Sequence, residues 1–97
     1  MNNDINDEET WNLIGFVKIS PFRYQAMKAL ENDYLMPSEI ARITGMKASQ
    51  ASNALMNLKG KGLVVCLNES ANKGRLYQNT ELGIKILNLI DHRNTKI

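Results

Sequence analysis

A mainly helical domain carrying one small β-hairpin is the fold class this sequence predicts, on three observations. Apolar residues recur at helical spacing along most of the 97 residues. The period switches to an extended one in a single place, Leu63-Val-Val-Cys-Leu67. Ser, Pro, Gly and Thr fall where helices of that spacing would have to start or stop.

The elements follow in order. The opening residues, MNNDINDEET, are polar and acidic and offer nothing to bury. We expect residues 1–7 to be disordered, a folded domain over 8–92 and a frayed tail over 93–97. Glu8 and Glu9 sit where carboxylates favour a helix N-terminus, and Trp11, Ile14 and Val17 then recur at helical spacing, with Leu13 and Phe16 widening the stripe. Ser20-Pro21 starts a second helix, Ser as N-cap and Pro at the first helical position, running to about Glu31. Asn32-Asp33 breaks it. Pro37 opens a short third helix to about Thr44. Glu39 stands three residues after Met36, as in a capping box, although a methionine side chain cannot be the reciprocal cap. Gly45 ends that helix, and a fourth runs from about Ala48 to Lys61 with Ala51, Ala54, Leu55 and Leu58 inward. The strand 63–67, a polar turn over 68–74 and a returning strand over 75–79 make the hairpin. Thr80 then caps a last helix to about Asp91.

Composition excludes several classes of function. The 43% hydrophobic and 23% charged content is that of a globular chain. No apolar run approaches the ~20 residues of a membrane span, and the acidic start does not read as a secretory signal, so the expected compartment is the cytoplasm. One cysteine and one histidine cannot supply a Cys/His zinc site or an internal disulfide, so no metal is expected. Without a Gly-rich phosphate loop or a second acid–base partner there is no catalytic pair to assemble, and neither an enzyme nor a cofactor is expected. Charge is more informative when divided along the chain. The net +2 combines −4 over residues 1–17, +5 over 18–75 and +1 over 76–97. A basic middle can attract phosphates even when the whole molecule is nearly neutral.

The most specific stretch is Pro37-Ser-Glu-Ile-Ala-Arg-Ile-Thr-Gly-Met-Lys-Ala-Ser-Gln-Ala-Ser-Asn-Ala-Leu-Met56. Two helices crossing steeply over a short turn need a small residue where they touch (Ala41), a permissive backbone at the turn (Gly45) and apolar contacts that fix the angle (Ile40, Met46, Ala51 and Ala54). These fall at the spacing of a helix-turn-helix. The hairpin that follows, with Lys73-Gly74-Arg75 at its tip, and the Thr-capped helix behind it make a winged arrangement.

On these residues the chain resembles the winged helix-turn-helix transcription regulators of archaea and bacteria, of the ArsR-like and MarR-like kind. The match spans about residues 20–90. It rests on Pro37-Ser38-Glu39-Ile40-Ala41, Thr44-Gly45, Leu55-x-x-Leu58, Lys61-Gly62-Leu63-Val64, Asn72-Lys73-Gly74-Arg75 and Tyr77-x-x-Thr80-Glu81-x-Gly83. The resemblance implies a fourth helix in the major groove of double-stranded DNA and a wing over a neighbouring minor groove or phosphate. Carried onto this chain, Lys47, Ala48, Ser49, Gln50 and Asn53 become the reading set. Gln and Asn suit adenine, and Ala48 suits a thymine methyl. Lys73 and Arg75 become wing contacts, and Ser38 and Lys47 candidates for phosphates near the turn. The chain departs from its relatives at Met36, where Thr is usual, at Asn53, where a base is usual nearby, and at Asn79, where an apolar residue is usual. The alternative is a winged-helix module for protein–protein interaction in a transcription, replication or viral assembly.

The last helix carries apolar residues at 82, 84, 86, 87, 89 and 90, a stripe wide enough to call for a second burial partner. A homodimer is therefore expected, with Trp11, Ile14, Ile86, Leu89 and Ile90 at its interface. The simpler arrangement is that the two terminal helices cover each other within one protomer. Cys66, in an apolar strand, reads as a small buried hydrophobe, with a redox-sensing thiol as the alternative. His92 reads as a solvated residue of the tail.

Overall fold

Local signals and packing agree on five helices and a two-stranded antiparallel hairpin: α1 Asp7–Lys18, α2 Pro21–Ala29, α3 Pro37–Thr44, α4 Ala48–Gly60, β1 Val64–Cys66, β2 Tyr77–Asn79 and α5 Glu81–Thr95. The computed structural model describes residues 7–95, with side chains to His92. The expected disordered stretch 1–7 lies outside the described residues except for Asp7, which begins α1. Of the expected tail 93–97, the last two residues lie outside them, while 93–95 continue α5 past Asp91 and place His92 on a helix.

Helix ends are set by the residues the sequence marked. Asp7, Glu8 and Glu9 occupy the first turn of α1 and Lys18 the last, each sign opposite to the nearby end of the helix dipole. Ser20 Oγ accepts the Arg23 N–H at 3.3 Å, with Pro21 directly behind it. Glu39 Oε1 accepts the Met36 N–H at 2.8 Å, so half of a capping box forms without a capping side chain at Met36. Gly45 closes α3 in the left-handed region at φ 81°, a conformation that costs a side chain-bearing residue about 1 kcal/mol or more. Thr80 ties three segments together. Its Oγ1 caps the Gly83 N–H at 3.0 Å and donates to the Gly62 carbonyl at 2.7 Å, and its N–H donates to the Leu63 carbonyl.

One core joins the elements of the described residues. Val17 of α1, Met27 of α2 and Leu30 at its C-cap, Ile40 of α3, Leu55 and Leu58 of α4, Leu63, and Ile86 and Leu87 of α5 are fully buried. α5 approaches the entry to β1 so closely that a Cβ on Gly83 would lie 2.1 Å from the Leu63 carbonyl oxygen, so only glycine fits there. A polar strut joins α2 to α5: the Tyr24 hydroxyl and Lys28 Nζ donate to the two oxygens of Asp91 at 2.7 and 3.0 Å. Burial pushes the Asp91 carboxyl up, but these two donors outweigh it and hold the group below its ordinary range.

The hairpin is shorter than the sequence suggests. Three residues pair on each strand, Val64 with Asn79, Val65 with Gln78 and Cys66 with Tyr77. The ladder stops because Leu76 gives its N–H to the side chain of Asn68 and Arg75 turns onto its own loop. On the other side of β2, Leu35 exchanges both backbone hydrogen bonds with Tyr77, at 3.1 and 2.9 Å, which adds a single-residue bridge. Cys66 is buried, and its Sγ lies 3.6 Å from Asn68 Oδ1 as a weak donor, consistent with a small core residue.

Candidate nucleic-acid interface

The crossing of α3 and α4 is fixed from beneath. Ile40, Met46, Ala51, Ala54, Leu55 and Leu58 are buried, and the small side chains at 51 and 54 let α4 lie close to its neighbours. Period then decides what faces solvent. Ala48, Ser49, Ser52 and Asn53 are exposed along α4, with Lys47 exposed at its N-cap. No carboxylate occurs between 47 and 61. Ser38 is exposed at the second position of α3.

Gln50 differs from the expectation. It is half-buried, and its Oε1 accepts the Lys47 N–H at 2.8 Å, closing the first turn of α4. Bidentate recognition of adenine needs both the oxygen and the NH2 of an amide. While Gln50 caps α4 its oxygen is engaged, so the amide left on the exposed face is that of Asn53.

Arg23 is the residue that sequence reasoning missed. A cleft of about 280 Å³ separates the start of α2 from α4, and Ser20, Arg23, Gln50, Asn53 and Asn57 line it. Arg23 stands over the Phe16 ring at 3.8 Å and donates from Nη1 to the Phe16 carbonyl at 2.8 Å. Its Nε is buried without a hydrogen-bond partner among the described residues. Lys61 Nζ lies 5.4 Å from the same ring. The guanidinium is thus held by a residue of α1 at the cleft that Asn53 also lines. No local signal announces this, because it depends on the angle between α1 and α2.

The wing is built from its own polar groups. Asn68 accepts the Leu76 N–H at 2.8 Å and donates to the Gly74 carbonyl at 3.2 Å. Arg75, expected to face phosphate, instead donates to the carbonyls of Ala71 at 2.9 Å and Glu69 at 3.0 Å. It remains exposed, but its guanidinium holds the loop in shape. Lys73, next to Gly74, is exposed at the tip. Lys59 pairs with Glu69 and so links the end of α4 to the wing. That contact holds Lys59 above its ordinary range and Glu69 below its own.

Of the five residues expected at a dimer interface, three belong to the core of the single chain. Ile14, Ile86 and Ile90 are buried where α1 and α5 pack together. The wide apolar stripe of α5 is therefore mostly satisfied within the protomer, and those three residues are not on its outer surface. Trp11 is 54% exposed and Leu89 half-buried. Among the described residues no cluster of His, Cys, Asp and Glu is arranged to hold a metal ion, and no helix is long and apolar enough to cross a membrane.

No protein-family model matches the chain, and no curated protein matches it in sequence. Its shape is shared with solved proteins. TubR of Bacillus thuringiensis serovar israelensis, bound to 24 bp of tubC, superposes with a TM-score of 0.76 at 12% identity over 94% of this chain and 98% of its own. Mb0332 of Mycobacterium bovis, a homodimeric winged helix-turn-helix DNA-binding domain and possible ArsR-family regulator, gives 0.70 at 23% identity over 93% of this chain and 87% of that fragment. MarR of E. coli gives 0.69 at 19% identity over 90% of this chain, which spans 65% of MarR. The fold is the winged helix-turn-helix.

Proposed function

We propose that this protein is a DNA-binding transcription regulator that reads duplex DNA with α4 and steadies it with the wing. The observation that carries the reading is the solvent face of α4. Lys47, Ala48, Ser49 and Asn53 stand exposed on a helix free of carboxylates, over a base of buried apolar residues that fixes its direction. Such a face offers donors, acceptors and a methyl contact to base edges and repels no phosphate. Arg23 at the start of α2 and Lys73 at the wing tip are its phosphate contacts. TubR, in complex with DNA, and the DNA-binding domain Mb0332 support the same use of the fold. The reading makes the protein a binder rather than a catalyst and places it in the cytoplasm with its DNA.

The protein acts as a homodimer in this reading. Trp11 and Leu89, on adjacent α1 and α5, supply the outward apolar surface, and Mb0332 is homodimeric. Two-fold symmetry would set two α4 helices about 34 Å apart, one turn of duplex, and favour a palindromic site.

Fluorescence anisotropy with random duplex at two salt concentrations tests the DNA reading. Binding that weakens steeply with salt supports it; no binding at low salt with protein at about 100 μM, the weak end of the non-specific range, overturns it. Sedimentation equilibrium tests the dimer, and a monomer mass that persists at high concentration ends that part.

A further inference from the structure

We propose that Phe16 of α1 is the positioning residue of a two-cation phosphate clamp, in which its ring seats Arg23 from the start of α2 and Lys61 from the end of α4. The proposal rests on the DNA reading and adds to it a second cation and the residue that places both.

One aromatic ring serves both cations. The Arg23 Cζ lies 3.8 Å from the Phe16 centroid, and Lys61 Nζ lies 5.4 Å from the same point. Both fall within the ~6 Å over which an aromatic face attracts a cation. The Phe16 carbonyl adds a second hold on Arg23 through Nη1 at 2.8 Å. It takes one of the five N–H donors of a guanidinium, so the group can be held in place and still bond a phosphate oxygen. Phe16 is itself half-buried and packs against the core, which fixes the ring. Lys61 is exposed at the C-cap of α4.

A ring holds a cation without neutralising it, and that sets these two apart. Lys28 is engaged by Glu31 and Asp91, and Lys59 by Glu69. Arg75 turns its donors to carbonyls of the wing. Among the described residues neither Arg23 nor Lys61 forms an ion pair. A carboxylate partner would place each cation by cancelling its field, whereas the ring leaves the full charge for an outside anion. The surroundings do not cancel it either. The rest of the cleft beside Arg23 is lined by Ser20, Phe22, Gln50, Asn53, Ala54 and Asn57, none of them charged. Asn53, Asn57 and Lys61 follow at four-residue spacing down one side of α4, so the clamp flanks the face that presents Asn53. A phosphate strand bordering the groove that α4 enters runs along that flank. Cations held there in advance avoid the ordering cost that loose side chains meet on docking.

Anisotropy of random duplex across a salt series, with the intact chain, tests the clamp. Phe16→Leu keeps an apolar side chain but no ring face, and should bind about fivefold more weakly, the scale of an exposed cation–π contact. Phe16→Tyr keeps the ring and should bind as the wild type does. The double variant Arg23→Gln/Lys61→Gln should lower the slope of log K against log salt by about two, a result that needs no change at Phe16. Adding Phe16→Leu to that double variant should weaken binding no further, whereas a general loosening of the fold would weaken it in either background. Three results overturn the proposal and leave the DNA reading standing: equal losses from Phe16→Leu in both backgrounds, the same affinity in Phe16→Leu as in Phe16→Tyr, or an unchanged slope in the double variant. No binding by the wild type ends both.

Discussion

The helix-turn-helix and the wing approach the same task from opposite physical directions. α3 and α4 are placed by buried side chains, from Ile40 through Leu58, and Ser49, Ser52 and Asn53 on the outer face of α4 are left to solvent. The wing has three paired residues per strand and leaves Val65 and Leu67 exposed, so its shape comes from Asn68 and Arg75 bonding to its own backbone. Packing of the first kind is insensitive to a polar substitution on the outer face. Hydrogen bonds of the second kind, each worth about 0.5–1.5 kcal/mol net and open to competition from water, are not. α4 is therefore a packed element whose outer face can change at little cost in stability, and the wing is a shaped loop whose charges are partly used to hold the shape.

The largest way to break this contrast is at the point both regions share. Gly83→Ala would drive a methyl into the Leu63 carbonyl, which the backbone of α5 or the entry to β1 must move to avoid. Leu63 follows α4 through its N–H to Leu58 and starts the wing, so both regions lose their seat. We expect a loss of about 3 kcal/mol or more in urea unfolding, in the range that marks backbone displacement in a core. A loss under about 1 kcal/mol would mean that α5 is free to slide and that packing does not fix the wing root.

Next in size is the polar strut of the body, which shows how a half-buried hydrogen-bonded group behaves beside the open ones of the wing. Asp91→Asn replaces a carboxylate that accepts from Tyr24 and Lys28, and should cost about 1–3 kcal/mol at pH 7. The pH dependence has a definite sign. The folded state holds the Asp91 carboxyl below its ordinary value, so the unfolded chain binds the proton more readily. The associated stability is complete above about pH 5 and falls away as the pH drops through about 4 and below. Denaturation series from pH 7 to 3 should show that fall in the wild type and a flatter curve in Asp91→Asn.

A third test sharpens the rigid side of the comparison. Asn53→Ala should leave the melting temperature unchanged, since the residue is exposed on a helix and Ala is a better helix former. Against a selected duplex it should cost about 1–3 kcal/mol at one base position and little against random DNA. Equal losses on both would assign Asn53 to phosphate rather than to a base.

The two regions also differ in how far they could be read in advance. Helix starts and stops are local chemistry, so Ser20-Pro21, Gly45 and Thr80 were legible, as was the inward set of α4, which follows from period alone. Gln50 was half legible: the amide was visible, but its duty as the cap of α4 competes with its expected role in a groove. Arg23 over Phe16 and the Leu35–Tyr77 bridge were not legible, because each joins residues whose meeting depends on the angle between elements. The stripe of α5 misled for a related reason. Six apolar positions look like a surplus until Ile86, Leu87 and Ile90 are seen buried in the protomer's own core. Arg75 was read as a wing contact from the resemblance and from its place beside Gly74, and neither says whether a guanidinium faces outward or back onto its loop.

The smallest expected effects separate the two cations of the wing. Lys73 and Arg75 flank Gly74 and look equivalent in sequence, but only Arg75 donates to the loop carbonyls of Ala71 and Glu69. Lys73→Ala should therefore act on DNA alone. The slope of log K against log salt should fall by about one for the lost phosphate contact, with hydrogen exchange of the wing amides unchanged. Arg75→Ala should act first on the loop. Amides over 69–76 should exchange faster, those of α4 should not, and any loss of affinity should follow from a wing that no longer holds its shape. The pair is decisive because the readouts are different. If Arg75→Ala lowers the salt slope by the same amount and leaves exchange untouched, its guanidinium is a phosphate contact after all and the wing holds its shape without it. If Lys73→Ala speeds exchange in the loop, the tip is part of the wing's framework, and the division between residues that shape it and residues that use it fails.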